Sequence, residues 1–358
     1  MKATITSSIV ASSLLVVITI IITLYHVSAF VGVPSSSRAA GAGAGLLTIK
    51  NDRRWCRLEK LAATGGKKRI SGEEIRIRNL QQLDKLRIRD RQSKKISGDE
   101  LKIIFEDKWL ICVDKPSGVL CVPSEEDIPT LAQTVFETVN HRQSSLDRMV
   151  VHRLGMDTSG LVIFAKTMKI LRELNTLFRT RKIVRKYEVL VCGHISDDTG
   201  TINLPIMRDY HQRALLNFDG KIVGKKLLEA PKASQTKYEV IGRETFLDTD
   251  LPVTRLLLTS ITGRTHQLNV HMAAFGHPIV GDRVYGLDGD ALPNGGLDYS
   301  ESLSDNTSSA SIELQRAIGT AATTAGCNMC AHAKFLSFNH PMRSPDDEPL
   351  LFESKAPF

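Results

Sequence analysis

The sequence predicts an α+β fold with a mixed, mostly antiparallel sheet and few helices, filling residues 101–358. One observation is a series of short runs rich in Val, Ile and Leu, bounded by Gly, Pro, Asp or Asn, which is typical of strands. Another is a smaller set of segments whose apolar residues recur at helical spacing. The third is composition, since 42% apolar residues suits a globular protein with a sizeable core and excludes a disordered chain.

The strands are predicted at residues 101–105, 109–113, 161–165, 187–191, 236–240 and 253–261. The helices are predicted at residues 130–140, 168–180 and 266–275. In the second helix, one face carries Leu171, Leu174, Leu177 and Phe178. Residues 287–326 are dominated by small and polar residues without strong periodicity, which predicts a mobile surface insertion without a chemical role.

The basic excess lies in the N-terminal part of the chain. Residues 1–100 contain 18 Lys and Arg against 8 Asp and Glu, whereas the rest of the chain contains 29 against 31. We interpret residues 30–66 as a transit-like, Gly- and Ala-rich linker and residues 67–100 as a basic linker. Such an excess fits either a targeting sequence or an arm that touches phosphate groups.

An apolar run near the N-terminus predicts a cleavable signal peptide over residues 1–29. The run extends from Ile9 to Tyr25, and Val27-Ser28-Ala29 supplies the small residues that a signal peptidase recognises. A signal-anchored membrane protein is the alternative, because the run is near the lower length limit for spanning a bilayer.

The residues after the predicted cut have the chemistry of a transit peptide. Residues 30–38 contain serines and Arg38 but no acid. The junction Ser28-Ala29-Phe30 resembles the cleavage-site motif of plastid precursors in algae with complex plastids. We therefore expect delivery to a plastid, with no stable membrane association after processing.

Four segments place polar and charged residues at turns between apolar runs. They are, in chain order, Asp114–Pro123, Val151–Lys166, Arg185–Val191, and Thr262–His271 with Gly276–Asp282. In the second segment His, Arg and Asp crowd a Gly-containing loop just before an apolar strand. Polar groups at a strand entrance are a common place for a catalytic site.

Together these segments resemble the RluA-type pseudouridine synthases, from about residue 103 to the C-terminus. The stretches KPSG, HRL..TSG, KY, TGRTHQLNVH and GHPIVGD occur in that order. Residues 332–341 and 352–358 are similar to the final strands of that family. The resemblance implies the fold predicted above, structured RNA as the partner, and no cofactor or metal. We expect a monomer.

The resemblance also implies a mechanism. Pseudouridine formation breaks the bond between ribose C1′ and uracil N1, turns the base, and rejoins it through C5. A carboxylate stabilises the state in which the base is detached, as carboxylates do at the anomeric carbon in glycoside hydrolysis. The target uridine must leave its stack, so a side chain has to fill the gap. By motif position Arg153 fills that gap, Tyr187 stacks on the flipped base near its C5 proton, and Arg264 pairs with the catalytic carboxylate.

Further contacts with RNA are expected from four residues beside these motifs. They are His152, Thr158, Lys115 and Arg185. A structural, hydrogen-bonding role is favoured over proton transfer for His152, as it is for His266 and His271.

The sequence departs from the family at one position of the site. The family pattern reads His-Arg-Leu-Asp, then two variable residues, then Thr-Ser-Gly, but the Asp position here is Gly155. Asp157 supplies a carboxylate two residues later, which in an extended chain is about 6–7 Å away. Rebuilding the loop would be eased by Gly155, because Gly accepts backbone angles that Asp resists. We predict that Asp157 is the catalytic carboxylate.

Two alternatives remain open at this stage. Without a carboxylate in reach, the chain would be a catalytically inactive RNA-binding or ribosome-assembly factor on the same fold. Separately, the spacing of Cys327, Cys330 and His332 could hold zinc together with His340. Against zinc, the segment around His332 already matches a family strand, so we expect no metal.

Overall fold

One long sheet is the main element of the protein. The computed structural model describes residues 27–29, 88–123, 128–208, 232–287, 309–344 and 346–358. Its strands are β1 (Val27–Ala29), β2 (Ile103–Glu106), β3 (Leu110–Lys115), β4 (Ser159–Ala165), β5 (Val184–Cys192), β6 (Thr199–Asn203), β7 (Ile206–Arg208), β8 (Gln235–Thr245), β9 (Pro252–Ser260), β10 (Ala331–Phe338) and β11 (Leu350–Glu353). Its α-helices are α1 (Leu131–Thr138), α2 (Met168–Arg179), α3 (Gln267–Ala274) and α4 (Ile312–Thr324).

The strand order confirms the predicted fold class. Nine strands form one sheet in the order β2-β3-β4-β10-β5-β9-β8-β6, with β11 pairing on β10. Every neighbouring pair is antiparallel except β4 and β10, which run parallel with His332 opposite Ser159. β1 and β7 form a separate two-stranded ladder.

Apolar side chains cover both faces of this sheet. Along β5, Val189 and Val191 pack with α3, whereas Leu190 and Cys192 pack with α4, because successive strand residues point to opposite faces. Along β4, even-numbered residues pack on the side of α1 and odd-numbered residues on the side of α2. Tyr187 contacts both the α1 cluster and the α3 cluster, so these two helices lie on the same face.

Local sequence explains where most of the helices begin. The hydroxyl groups of Thr130, Thr167 and Ser311 accept backbone N–H groups at the starts of α1, α2 and α4. Such caps satisfy amide groups that have no partner inside the helix. The observed α2 confirms the helix predicted at residues 168–180.

The predicted mobile insertion differs from the structure in its C-terminal half. Helix α4 lies within residues 287–326, and its Ile318 and Ala322 are buried against Leu190 and Cys330. The helix was not predicted because its buried stripe is narrow and its other residues are small or polar. Residues 288–308 of the predicted insertion lie outside the described residues.

The predicted basic linker also needs a correction. Residues 88–100 pack on the domain: the Ser93 hydroxyl donates to Pro129 O at 2.7 Å, and Lys94 N donates to Gly118 O at 3.0 Å. The remainder of that linker, residues 67–87, lies outside the described residues.

The predicted targeting segments also lie outside the described residues, except for β1. Val27–Ala29 pairs with Ile206–Arg208, so cleavage after Ala29 would remove this short strand. Within the described part of the chain, none of the helices combines the length and the apolar character that a membrane crossing requires.

A close approach of two strands occurs where the His152–Gly160 loop enters β4. Gly160 has a φ of 109°, in the region that favours glycine. A Cβ atom built on Gly160 would lie 2.4 Å from the carbonyl oxygen of Ala333 on the parallel strand β10. The pairing of β4 with β10 therefore requires glycine at this position.

We predict that Gly160→Ala lowers the free energy of unfolding by about 3 kcal/mol, because both the backbone conformation and the contact with Ala333 become strained. Chemical denaturation of the two proteins measures the difference. Gly319→Ala is the matched control, since that glycine lies inside α4 with no atom within 4 Å of its built Cβ. It should instead raise stability by about 0.5–1 kcal/mol. Equal effects of the two substitutions would contradict this account.

Candidate active site

The candidate site lies on the sheet face that carries α1 and α3. Tyr187, on β5, is partly buried between the two apolar clusters that these helices form. Its hydroxyl group donates to no other described residue and accepts from none. The phenol therefore stands between the two halves of this face, where an aromatic ring can stack on a base that enters from outside.

The loop from His152 to Ser159 is folded into a tight turn. Thr158 N donates to Gly155 O at 3.2 Å, which closes a turn with Met156 and Asp157 at its tip. In such a turn the first and fourth Cα atoms are within about 7 Å of each other. The loop is therefore folded back on itself here and not extended, with Asp157 at its tip.

Hydrogen bonds to the Lys115–Val119 segment hold this turn in place. Gly118 N donates to Met156 O at 3.0 Å, and the Ser117 hydroxyl donates to Asp157 O at 2.6 Å. These bonds use the main chain of residues 156 and 157. They leave the Asp157 side chain to make its own contacts.

Lys115 was predicted to contact RNA, and this prediction is wrong. Its side chain is fully buried, and its ammonium group donates to Pro116 O at 2.9 Å, Val119 O at 2.6 Å and Met156 O at 2.8 Å. The three N–H donors of an ammonium group are thereby all used. Burial lowers the pKa of Lys115 to about 8, partly offset by the nearby charge of Asp157. Lys115 joins the KPSG turn to the Gly155–Thr158 turn.

We predict that Lys115→Met lowers the free energy of unfolding by about 2–5 kcal/mol, because it leaves buried carbonyl groups without a donor. Thermal and denaturant melts measure the loss. Lys95→Met is the control, because it makes the same change at a lysine that is exposed. It should change stability by no more than about 0.5 kcal/mol. A Lys115 variant as stable as the wild type would show that these bonds are dispensable.

Gly155 is not required by the backbone of the loop. Its φ is outside the left-handed region in which six other glycines lie. A Cβ atom at Gly155 would lie 3.4 Å from the Thr158 hydroxyl oxygen, which is ordinary contact. The expectation that glycine eases a strained backbone here is therefore wrong, because the backbone accepts a Cβ atom at this position.

The predicted ion pair between Arg264 and Asp157 is not formed. The Asp157 carboxylate instead forms an ion pair with the guanidinium group of Arg89, and both side chains are partly buried, with 15% and 23% of their surfaces exposed. Sequence reasoning missed Arg89, because it is one of several arginines in a charged stretch and nothing in the local pattern distinguishes it. Only the fold brings it to the site.

Arg264 lies in the turn before α3 with different partners. Its Nη2 donates to Ala233 O at 3.3 Å, while its buried Nε has no acceptor among the described residues. Its backbone N–H donates to the Gln267 side chain at 3.1 Å, and Gln267 also binds Thr262, Gln235 and Thr236. The turn is thus attached firmly to β8.

The histidines of the motifs have structural roles. His266 begins α3 with a φ of 52°, and its Nδ1 lies 2.8 Å from the Tyr285 hydroxyl. His271 is fully buried, with Nδ1 2.9 Å from the Thr236 hydroxyl and Nε2 2.9 Å from Leu204 O. Burial lowers the pKa of His271 to about 4, so the ring is neutral at pH 7, when Nε2 donates to Leu204.

This burial predicts a pH dependence of stability. Because the pKa of His271 is about 4 when folded and near 6.5 when unfolded, the unfolded chain binds more protons between these values. The contribution of neutral His271 to the free energy of unfolding is fully present above pH 6.5. It declines as the pH falls to 4, by about 1.4 kcal/mol per pH unit. Denaturant melts from pH 4 to 8 should show a shallower slope for His271→Gln than for the wild type. The same substitution at the exposed His194 is the control.

The predicted RNA-contacting residues occupy different environments. Arg153 is exposed on the loop, and Thr158 is partly buried beside Gly155. His152 is structural, because its Nε2 accepts Ile163 N–H at 3.0 Å and burial, with the nearby charge of Arg185, lowers its pKa to about 3. The guanidinium carbon of Arg185 lies over the Phe178 ring, 5.5 Å from the ring centre.

Arg185 also borders the turn that carries Arg264. A Cβ atom at Gly263 would lie 2.7 Å from Arg185 Nη2. The two arginines predicted from separate motifs are therefore neighbours in space, and together they make this end of the site basic.

The possible zinc ligands do not come together. His332 Nδ1 lies 2.8 Å from the Ser159 hydroxyl, and His340 Nε2 lies 3.1 Å from an Asp107 carboxylate oxygen. Within the described ranges, no three His, Cys, Asp or Glu side chains are grouped so that they could hold a metal ion.

Comparison with known proteins identifies the chain's relatives. A family model described as RNA pseudouridylate synthase matches residues 109–274. The dual-specificity RNA pseudouridine synthase RluA of Haemophilus influenzae is 38% identical over 187 residues, which cover 52% of this chain and 77% of that protein. RluA of Escherichia coli (strain K12) gives the same identity and coverage. The solved structure of human RNA pseudouridylate synthase domain containing 1 superposes with a TM-score of 0.47 at 23% identity, covering 74% of this chain and 87% of that one.

These matches define the class of protein, which is an isomerase that acts on RNA. The chain belongs to the RNA pseudouridylate synthase family.

Proposed function

We propose that this protein isomerises uridine to pseudouridine in structured ribosomal or transfer RNA, with Asp157 as the catalytic carboxylate. The observation that carries the proposal is the turn closed by Thr158 N and Gly155 O at 3.2 Å. It places Asp157 at the tip of the motif loop, two residues from the family's carboxylate position. The loop is anchored by Lys115, so its carboxylate is held on a rigid frame.

The chemistry needs few groups. The N1–C1′ bond breaks, the detached uracil turns, C5 bonds to C1′, C5 loses its proton and N1 gains one. In this proposal Asp157 stabilises the state in which the base is detached, as carboxylates do at anomeric carbons. Tyr187 stacks on the turned base, and its hydroxyl, which bonds to none of the described residues, is available near the C5 proton. Arg153, which is exposed on the same loop, fills the space that the flipped uridine leaves.

A second function is favoured by a separate observation. Gly155 leaves the family's carboxylate position without a carboxylate, and Arg264 has no acidic partner among the described residues. On this alternative, the protein binds RNA without isomerising it and assists RNA folding or ribosome assembly. The two functions differ in whether uridine C5 loses its proton.

We predict that the full-length protein releases tritium from transcripts of plastid ribosomal and transfer RNA made with 5-tritiated uridine. Asp157→Asn should lower kcat by at least about 100-fold, because it removes the charge that the reaction uses. A carbodiimide reagent that marks pseudouridine then maps the modified sites. Asp147→Asn, at an exposed position in the same region, is the matched control and should keep wild-type activity.

Gly155→Asp separates the two functions. A Cβ atom at Gly155 makes only ordinary contact, so the variant should keep the backbone of the loop. A wild type without activity, together with an active Gly155→Asp variant, would establish the non-catalytic alternative. An active wild type that is insensitive to Asp157→Asn would show that another group carries the reaction.

We also propose a plastid as the place of action. The support is the predicted signal peptide of residues 1–29, the transit-like segment that follows, and the need of an RNA-modifying enzyme for RNA in its compartment. A signal-anchored membrane protein remains the alternative.

A further inference from the structure

The chain segment before β2 delivers an arginine to the site. Residues 89–93 form a turn in which Gln92 N donates to Arg89 O at 2.9 Å and Ser93 N donates to Asp90 O at 3.0 Å. The Ser93 hydroxyl donates to Pro129 O at 2.7 Å and accepts Leu120 N–H at 3.0 Å. These bonds fix the segment beside the KPSG turn and the start of α1.

The Arg89 guanidinium interacts with acidic groups from two parts of the chain. It forms the ion pair with Asp157, and its charge also acts on Asp282. Burial raises the pKa of Asp282, while hydrogen bonds from Asn269 and the amides of Val284 and Tyr285, together with the charge of Arg89, oppose that rise. The direct contact of Arg89 is therefore with Asp157, while its charge also favours the ionised form of Asp282.

We infer that Arg89 is the positioning residue for the Asp157 carboxylate. The resemblance to the family would assign this role to Arg264. The inference rests on the proposed function of Asp157. A partly buried guanidinium is always charged and offers its donors in a rigid fork, so it orients a carboxylate. Arg264 does not have this task in the present arrangement, because the Asp157 carboxylate pairs with Arg89 while Nη2 of Arg264 donates to Ala233 O.

In this protein both the carboxylate and the arginine that pairs with it lie at positions other than those of the family pattern. In the family pattern the carboxylate is at the position of Gly155, and its arginine comes from the turn before α3. Here the carboxylate is two residues further along, and its arginine comes from a segment anchored to Pro129 and Gly118.

Tritium release by the full-length protein tests the role of Arg89. Arg89→Gln should lower kcat by roughly 10- to 100-fold, while KM stays within about threefold of the wild type, because orientation and not RNA affinity is lost. Arg89→Lys should retain an intermediate kcat, since it keeps the charge but not the fork. Free guanidinium ions should restore part of the activity of Arg89→Ala, which a purely structural role does not predict.

Lys95→Gln is the matched control, because it removes one positive charge from the same segment at an exposed position. It should leave kcat unchanged. In the Asp157→Asn background, Arg89→Gln should cause no further loss, since the two residues act as one unit. Thermal melts show whether each variant is folded, and Arg89→Lys keeps the test valid if Arg89→Gln unfolds.

The possible outcomes separate this inference from the proposed function. An unchanged kcat in Arg89→Gln overturns the inference alone, as does a raised KM with unchanged kcat, which would make Arg89 an RNA contact. A raised kcat also overturns it, because the ion pair would then restrain Asp157. A wild type without activity overturns both proposals together.

Discussion

The buried ammonium group of Lys115 is the interaction on which the site depends. It joins the KPSG turn to the Gly155–Thr158 turn through three main-chain carbonyl groups. A buried charge without partners is costly, so the three acceptors and the lysine stabilise one another only when both turns are in place. The position of Asp157 in space therefore follows from a residue that has no direct contact with its carboxylate.

The other residues of the candidate site come from elements that are far apart in sequence. Tyr187 comes from the middle of the sheet, and Arg264 from the turn before α3, which Gln267 attaches to β8. Arg89 comes from the segment before the first strand of the sheet. The site thus depends on the nine-stranded sheet as a whole, because no single element carries more than one or two of these groups.

The secondary structure was largely predictable because it depends on local patterns. Strands predicted at residues 109–113 and 187–191 correspond to β3 and β5, and the helix at 168–180 to α2. The α4 helix was missed, since its small and polar residues hide a narrow buried stripe. Lys115 was misread as an RNA contact, because a lysine in a Pro- and Gly-containing turn is exposed in most proteins. Its burial depends on the two turns whose carbonyl groups surround its ammonium group.

The loop from His152 to Gly160 shows what the sequence determines and what the tertiary structure determines. The sequence by itself determined the family, the α+β class, the motif residues and the absence of aspartate at Gly155, because these are properties of residue type and spacing. Only the tertiary structure decided that the loop turns tightly and that Asp157 pairs with Arg89, 68 residues away, and not with Arg264. The physical reason is that an ion pair requires two side chains to meet in space. Long-range packing brings them together, and no local pattern of residues encodes that packing.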